Sequence, residues 1–322
     1  MADEKVQGMI SVCITCRNDQ EETNATIRSI RETAGDLPEI VVLDDGSDQP
    51  LRLDDKNVVF RTVHGRAGVG PARHIAATMA SRKHLLIIDA HMRFEPGWYE
   101  KALERLESSD DTLWGCTCIH LTAGSMEIKP DSRTYNGATL NFFGPNKNKP
   151  HLMQFIEPVW IPKEKHPKNN DVIPCVLGAA YFMPRSLFFK IGGMRMLRHW
   201  GSSEPYLSLK VWLSGGECRQ MTDVRIGHQF RTATTYTYKF SASLYNKLMI
   251  ASTLFPQEAA EFIAEKMRQH ALPAQDFRIA MDLFRQDQAQ IECEKVFAER
   301  VFTRTLEEFL ERFGMPRFWL ER

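Results

Sequence analysis

The first 91 residues alternate short apolar runs with helical patterns, and the polar motifs fall just beyond the ends of the apolar runs. Residues 9–16 (MISVCITC) are apolar and rich in β-branched side chains, which suits a buried first strand. A polar turn at Arg17, Asn18 and Asp19 leads into a helical pattern from Thr23 to Ala34 with Ile27 and Ile30 inward. Short strands follow at Glu39 to Leu43 and Val58 to Val63, then a glycine-bearing turn from Gly65 to Gly70. A helix from about Pro71 to Ser81 and a strand from His84 to Ile88 complete the pattern. Strands and helices in alternation with short loops predict an α/β fold, a mostly parallel central sheet flanked by helices. In open sheets of this kind, ligands bind beyond the strand C-termini. Asp44-Asp45 and Asp89-Ala90-His91 stand at such ends.

Residues 120–170 change character, with many Pro, Asn and Lys, and read as irregular loops or a small hairpin over the ligand-binding face. A buried strand is expected from Ile173 to Met183, a short helix from Pro205 to Leu213, and a strand from Gly216 to Ile226 ahead of His228. From about Ser241 the chain is helical, with breaks near Pro256, Pro273 and Gly314. Phe297, Val301, Phe302, Leu306, Phe309, Leu310 and Phe313 give it an amphipathic pattern. The expected division is a catalytic domain over residues 1–240 and a helical C-terminal extension over 241–322, packed on it.

Composition narrows the function classes. Lys+Arg and Asp+Glu balance at 41 each, so no overall field draws the chain to polyanions. The seven cysteines are an odd number scattered through mostly apolar segments and read as reduced thiols, Cys116 and Cys118 as core. The N-terminus MADEKVQGMI lacks a basic region followed by an apolar one, and no run approaches the ~20 apolar residues that span a bilayer. The expectation is a cytoplasmic protein, in a bacterial or virus-infected host cell, with its acceptor in the same compartment.

Asp89 and His91 are two apart on an extended segment, so their side chains can point to one side and share a cation. A mixed oxygen and nitrogen pair suits a divalent first-row ion such as Mn2+, leaving positions for diphosphate oxygens. His228, beyond another strand, would complete a facial set of three ligands. Asp44 and Asp45 can accept hydrogen bonds from a base N–H or a ribose hydroxyl, though a solvated turn reads the same way. Residues 65–70 match neither a dinucleotide fingerprint nor a P-loop, and Arg66 and Arg73 stand ready for a nucleotide or the acids that bind it. Trp200-Gly201-Ser202-Ser203-Glu204 is a turn before a helix, where Ser202 or Ser203 suits an N-cap and Glu204 a polar group near a reacting centre.

Together these strings resemble the GT-A glycosyltransferases, most closely the polypeptide N-acetylgalactosaminyltransferases. The likeness runs in order over about residues 9–250: DDGS at 44–47, RAGVGPAR at 66–73, DAH at 89–91, GWYE at 97–100, LGAAYFMPRSLFFKIGG at 177–193, WGSSEPYLSLKVWLSGG at 200–216 and IGHQFRTATTYTY at 226–238. The resemblance implies Mn2+ on Asp89, His91 and His228, and a UDP-sugar as donor substrate. It implies nucleotide-sugar contacts from Asp45, Arg66, Arg73, Asp89, Gly178, Ala179 and Trp200. It also implies a lid whose Arg231 and Tyr236 close over the diphosphate, with Asn246 downstream. The chain departs from the family in having Ser203 where Glu is expected, Glu204 one place later, Ala179 for a second glycine and Pro71 for a basic residue. It is expected to lack the membrane anchor and lectin domain of animal members.

The implied activity is metal-dependent transfer of a hexose or N-acetylhexosamine from a UDP-sugar to a hydroxyl of a macromolecule. Retention is expected, with a Ser/Thr polypeptide as acceptor; inversion would make Glu204 the general base. Two alternatives stand beside it. One is glycosylation of hydroxymethylated pyrimidines in DNA, for which Lys163, Lys165, His166 and Lys168 form a local basic cluster. The other is an inactive sugar-nucleotide-binding module.

Overall fold

The computed structural model describes residues 8–122, 126–147, 149–231, 237 and 239–320. In chain order the elements are β1 (Ile10–Cys16), α1 (Gln20–Ala34), β2 (Glu39–Asp44), β3 (Val58–Thr62), α2 (Val69–Met79), β4 (His84–Asp89), β5 (Met92–Phe94) and α3 (Trp98–Glu107). There follow β6 (Thr112–Leu121), β7 (Thr134–Tyr135), β8 (Ala138–Pro145), β9 (Met153–Trp160), β10 (Ala180–Pro184), α4 (Arg185–Lys190), α5 (Ser203–Leu213) and β11 (Glu217–Gln229). Five helices close the chain: α6 (Phe240–Leu254), α7 (Gln257–His270), α8 (Ala274–Gln286), α9 (Gln288–Val301) and α10 (Leu306–Arg312).

One twisted sheet runs in the order β3-β2-β1-β4-β10-β6-β11-β5, with β7 added to β6. The four strands at the β3 end are parallel, as the alternating N-terminal half predicts. Beyond β4 the sheet becomes mixed, because β10 runs antiparallel to both its neighbours and β5 antiparallel to β11. Successive residues of a strand face opposite sides, and the core divides accordingly. Cys13, Val41, Leu43, Leu85 and Ile87 pack on one face toward α2, α5 and α6. Val12, Ile14, Ile40, Val42, Leu86 and Ile88 pack on the other toward α1 and α3. Both faces are covered, so β1 is buried along its whole length.

Two segments differ from expectation. The strand foreseen from Ile173 to Met183 shrinks to β10, because Gly178 and Ala179 adopt positive φ of 113° and 58° and cannot continue an extended run. His228 lies inside β11, paired with His120 and Met92, rather than beyond a strand end. Residues 120–170 include the antiparallel hairpin β8–β9, one of the two forms expected there. All seven cysteines are free thiols, and six are buried, including Cys116 and Cys118.

The division drawn after residue 240 falls one residue into α6. Most of α6 is buried, and residues of α6 to α10 belong to the same apolar cluster as Cys13 and Leu85. Polar contacts add to that union. Lys210 of α5, fully buried, has its Nζ 3.3 Å from Glu294 Oε1 of α9, and Tyr206 donates to the same oxygen at 3.1 Å. Arg195 donates to Glu294 Oε2 at 2.7 Å, and Arg198 makes a bidentate pair with Asp287 at 2.8 and 2.9 Å. Among the described residues no helix is long and apolar enough to cross a membrane.

Candidate active site

A cavity of about 400 Å³ opens where β1, β2 and β4 end, the place an open α/β sheet offers a ligand. Its walls include Asp45, Arg66, Arg73, Asp89, His91, Gly178, Ala179, Trp200, Glu204, His228 and Arg231. Eleven positions foreseen from sequence therefore converge on it. Tyr236 lies outside the described residues.

Asp89, at the end of β4, and His91, just before β5, meet His228 of β11, with one ligand atom from each all within 4.8 Å. Asp89 Oδ1 accepts from buried Arg73 at 2.6 Å, and Oδ2 stands 3.6 Å from His228 Nε2. Burial alone would raise the Asp89 pKa, but Arg73, then His228 and His91, outweigh it and hold the carboxyl far below its ordinary range. For His228, burial outweighs Asp89 and lowers the pKa, favouring the neutral imidazole that metals bind. Neither ring nitrogen of His228 has a hydrogen-bond partner among the described residues, although the side chain is only 14% exposed. Buried imidazoles rarely go unpaired. An orphaned, neutral imidazole beside an ionised carboxylate and a second histidine is a donor set that fits a divalent cation.

Asp19, part of the polar turn after β1, is the member that no sequence motif singles out. It precedes α1 at the end of β1, the same kind of position that singled out Asp45 and Asp89, so that rule applied to β1 would have found it. One oxygen lies 3.3 Å from His91 Nδ1 and the other accepts from Arg231 at 2.9 Å. Burial would raise its pKa, but His91 and Arg231 lower it. With Nδ1 occupied, His91 is left with Nε2 to offer a cation, the arrangement that orients metal-bound histidines. Asp19→Asn is expected to weaken Mn2+ binding about 10- to 100-fold with the fold intact, measured by calorimetry; unchanged affinity would remove Asp19 from this role.

The remaining foreseen residues divide by what they touch. Asp45 accepts from the backbone N–H groups of Ala67 and Gly68 at 2.6 and 2.9 Å, so its carboxylate shapes the glycine turn that carries Arg66. Arg66 donates to the carbonyl of Thr237 at 2.7 Å, joining that turn to the segment after β11. Gly178 cannot carry a side chain: a Cβ there would stand 2.9 Å from Cys118 Cβ and 3.1 Å from Trp160. Glu204, in the first turn of α5, accepts from the phenol of buried Tyr181, a residue without a distinguishing signal in the sequence. Burial, reinforced by Glu204, pushes the Tyr181 pKa up, so the phenol stays the donor. Ser202 takes the N-cap position with φ 65°, yet its side chain caps nothing. Asn246, fully buried in α6, instead holds this loop, accepting from Arg198 N at 2.8 Å and donating to the carbonyls of Arg198 at 2.9 Å and Gly201 at 3.0 Å. Lys163, Lys165 and Lys168 are exposed on the loop after β9, interleaved with Glu164 and followed by Asp171, which takes the Lys168 N–H.

The family model of glycosyl transferase family 2 matches residues 11–197, from β1 through the segment before the Trp200 loop. The chain belongs to glycosyl transferase family 2. Among curated relatives, it is 23% identical over 326 residues to a probable N-acetylgalactosaminyltransferase 8 of Caenorhabditis elegans, covering 93% of this chain and 74% of that one. It is 26% identical over 236 residues to polypeptide N-acetylgalactosaminyltransferase 8 of Drosophila melanogaster, covering 69% of this chain and 38% of the relative. Human polypeptide N-acetylgalactosaminyltransferase 10 is 24% identical over 242 residues, with 71% and 38% covered. The chain thus spans between 38% and 74% of these relatives' lengths. A crystal structure of GalNAc-T7 with UDP, GalNAc and Mn2+ superposes with a TM-score of 0.72 at 21% identity, over 95% of this chain and 57% of that one. The fold is therefore of the GT-A type, a mixed sheet flanked by helices with further helices at the C-terminus.

Proposed function

We propose that this family 2 member is a metal-dependent glycosyltransferase that moves an N-acetylhexosamine or hexose from a UDP-sugar to a hydroxyl of a polypeptide, with retention. The observation that carries the reading is the orphaned His228 imidazole beside Asp89 and His91, in a cavity that also presents Arg66, Arg231 and Glu204. A divalent cation on Asp89, His91 and His228 would supply Lewis-acid neutralisation of the charge on a departing diphosphate. The chain's own contribution at that end is Arg231, which is oriented by Asp19 and Gln229 and is a preorganised donor for phosphate oxygens. The turn bearing Arg66 and the loop bearing Trp200 bound the rest of the nucleotide-sugar site. The relatives' names support N-acetylgalactosamine as the sugar and a polypeptide as the acceptor.

Glu204 bears on the stereochemistry. One of its oxygens is held by Tyr181, which fixes the carboxylate at the cavity wall and leaves the other oxygen for a hydroxyl. In a retaining reaction that oxygen orients substrate, and the leaving diphosphate takes the acceptor proton; in an inverting one it would be the base.

A screen of UDP- and GDP-sugars with Mn2+, against peptide and hydroxymethylated DNA, tests the reading by intact mass. An α-linked sugar on peptide Ser/Thr, assigned by NMR, is the expected product. Transfer to DNA alone would overturn the acceptor, a β-linked product would overturn retention, and absence of turnover with every donor would leave a binding module.

A further inference from the structure

We propose that Glu157, fixed by Lys247, is a sugar-reading carboxylate of the donor cavity: it accepts hydrogen bonds from the transferred sugar and so helps decide which UDP-sugar is used. The inference rests on the glycosyltransferase reading above and deepens it. Glu157 belongs to β9 of the hairpin and lines the cavity together with Pro158 and Trp160.

Two features place its carboxylate there. The preceding residue, Ile156, is fully buried with φ 49°, a left-handed conformation that β-branched residues avoid. Phe155 and Ile156 are both buried, so the in-and-out alternation of the strand breaks at this point and Glu157 is the next residue to reach the cavity. The second feature is Lys247 of α6, only 3% exposed, whose Nζ donates to Glu157 Oε1 at 2.6 Å and to Ser202 Oγ at 3.4 Å. A buried ammonium is strongly unfavourable without an acidic partner. Glu157 is the one acidic partner of Lys247 among the described residues. The pair therefore ties the hairpin to the 200–204 loop and holds the Glu157 carboxylate in place at the cavity wall.

The lining groups differ in chemistry. Arg66 and Arg231 are cationic and suit phosphate, whereas Glu157 is a carboxylate that lines the cavity with Trp160, whose ring lies against Gly178, and shares Lys247 with Ser202. An ionised carboxylate accepts and never donates. One oxygen is taken by Lys247 and the side chain is still 32% exposed, so the group can take hydroxyl or amide hydrogens of a neutral sugar but would repel phosphate. Sites that hydrogen-bond a substrate hydroxyl discriminate far more sharply than apolar pockets do.

The test compares UDP with UDP-N-acetylgalactosamine and its UDP-N-acetylglucosamine epimer, by calorimetry with Mn2+ and by kcat/KM. Glu157→Gln is expected to leave UDP affinity within about twofold while lowering kcat/KM for the preferred donor roughly 10- to 100-fold and flattening the preference between epimers. Because Glu157→Gln strands a buried lysine, Glu157→Gln with Lys247→Met is the companion, expected to recover thermal stability without recovering donor preference. Lys247→Met alone should blunt the preference and Lys247→Arg should restore it, as a positioning residue requires. Wild-type donor preference in the folded double variant would overturn the proposal, as would an effect confined to acceptor KM. Wild-type chain that binds no UDP would overturn the functional reading along with it, whereas UDP binding with Glu157-independent discrimination overturns this inference alone.

Discussion

His228→Leu is expected to lower Mn2+ affinity more than 100-fold and transfer by about 1,000-fold or more, while leaving the metal-free protein as stable as the wild type. The two halves of that expectation have separate causes. The imidazole makes no hydrogen bond among the described residues, and Asp89, whose Oδ2 stands 3.6 Å from it, keeps the closer Arg73, so its removal costs the fold little. It packs edge-on to Phe230 at 4.7 Å and lies tilted 5.1 Å from His91, contacts that an apolar side chain of similar size can share. Replacing an unpaired buried polar group by an apolar one is neutral or stabilising. The functional loss follows because a cation on Asp89 and His91 alone would lose a third of its protein ligands. Asp89→Ala would be a poorer test, since it also strands the buried Arg73 guanidinium that donates to Asp89 at 2.6 Å. Thermal melts with and without Mn2+, and turnover after chelation, decide the matter. A variant that melts much lower without metal, or that keeps Mn2+-dependent turnover, would remove His228 from the ligand set.

Glu294→Ala is expected to destabilise the folded chain by about 3–5 kcal/mol, read as a shift in the urea midpoint at constant slope. Glu294 is 3% exposed and receives Lys210, Tyr206 and Arg195. Its loss leaves the Lys210 ammonium fully buried with no carboxylate among the described residues, its hydrogen bonds reduced to the Gly193 carbonyl and the Tyr206 hydroxyl. Burial already presses the Lys210 pKa down to about 8, and Glu294 is the carboxylate that opposes it. Lys210→Met should cost less, because Glu294 would keep Arg195 and Tyr206. The comparison tests more than one ion pair. Arg195 and Arg198 flank the chain that enters the Trp200 loop, and both are held by α9 or the residue before it. If Glu294→Ala and Lys210→Met cost the same small amount, the Glu294 cluster adds nothing to the union of α9 with the catalytic fold.

Much of this site is local in origin. Apolar runs of strand length, each closed by a polar turn, place Asp45 and Asp89 at the C-terminal edge of a parallel sheet, whatever the rest of the chain does. The two-residue spacing of Asp89 and His91 keeps both side chains at one edge, and the glycines of the 65–70 turn mark the entry into α2. Those features depend on neighbours along the chain, so periodicity and turn chemistry suffice to read them.

What only the tertiary structure decided lies in contacts between residues far apart in sequence. Asp19 meets His91 across 72 positions and Arg231 across 212, and Lys247 meets Glu157 across 90. No local pattern encodes such pairings, because each depends on which strand lies beside which and how the helices pack over the sheet. The same holds where local preference was overruled. Ile173 to Met183 is apolar enough for one long strand, yet Gly178 and Ala179 turn it to bring the backbone against the cavity, where Cys118 and Trp160 leave no room for a side chain at Gly178. Sequence alone thus determined which acids and histidines gather at one edge of the sheet; packing determined which groups orient them and which further carboxylates line the cavity.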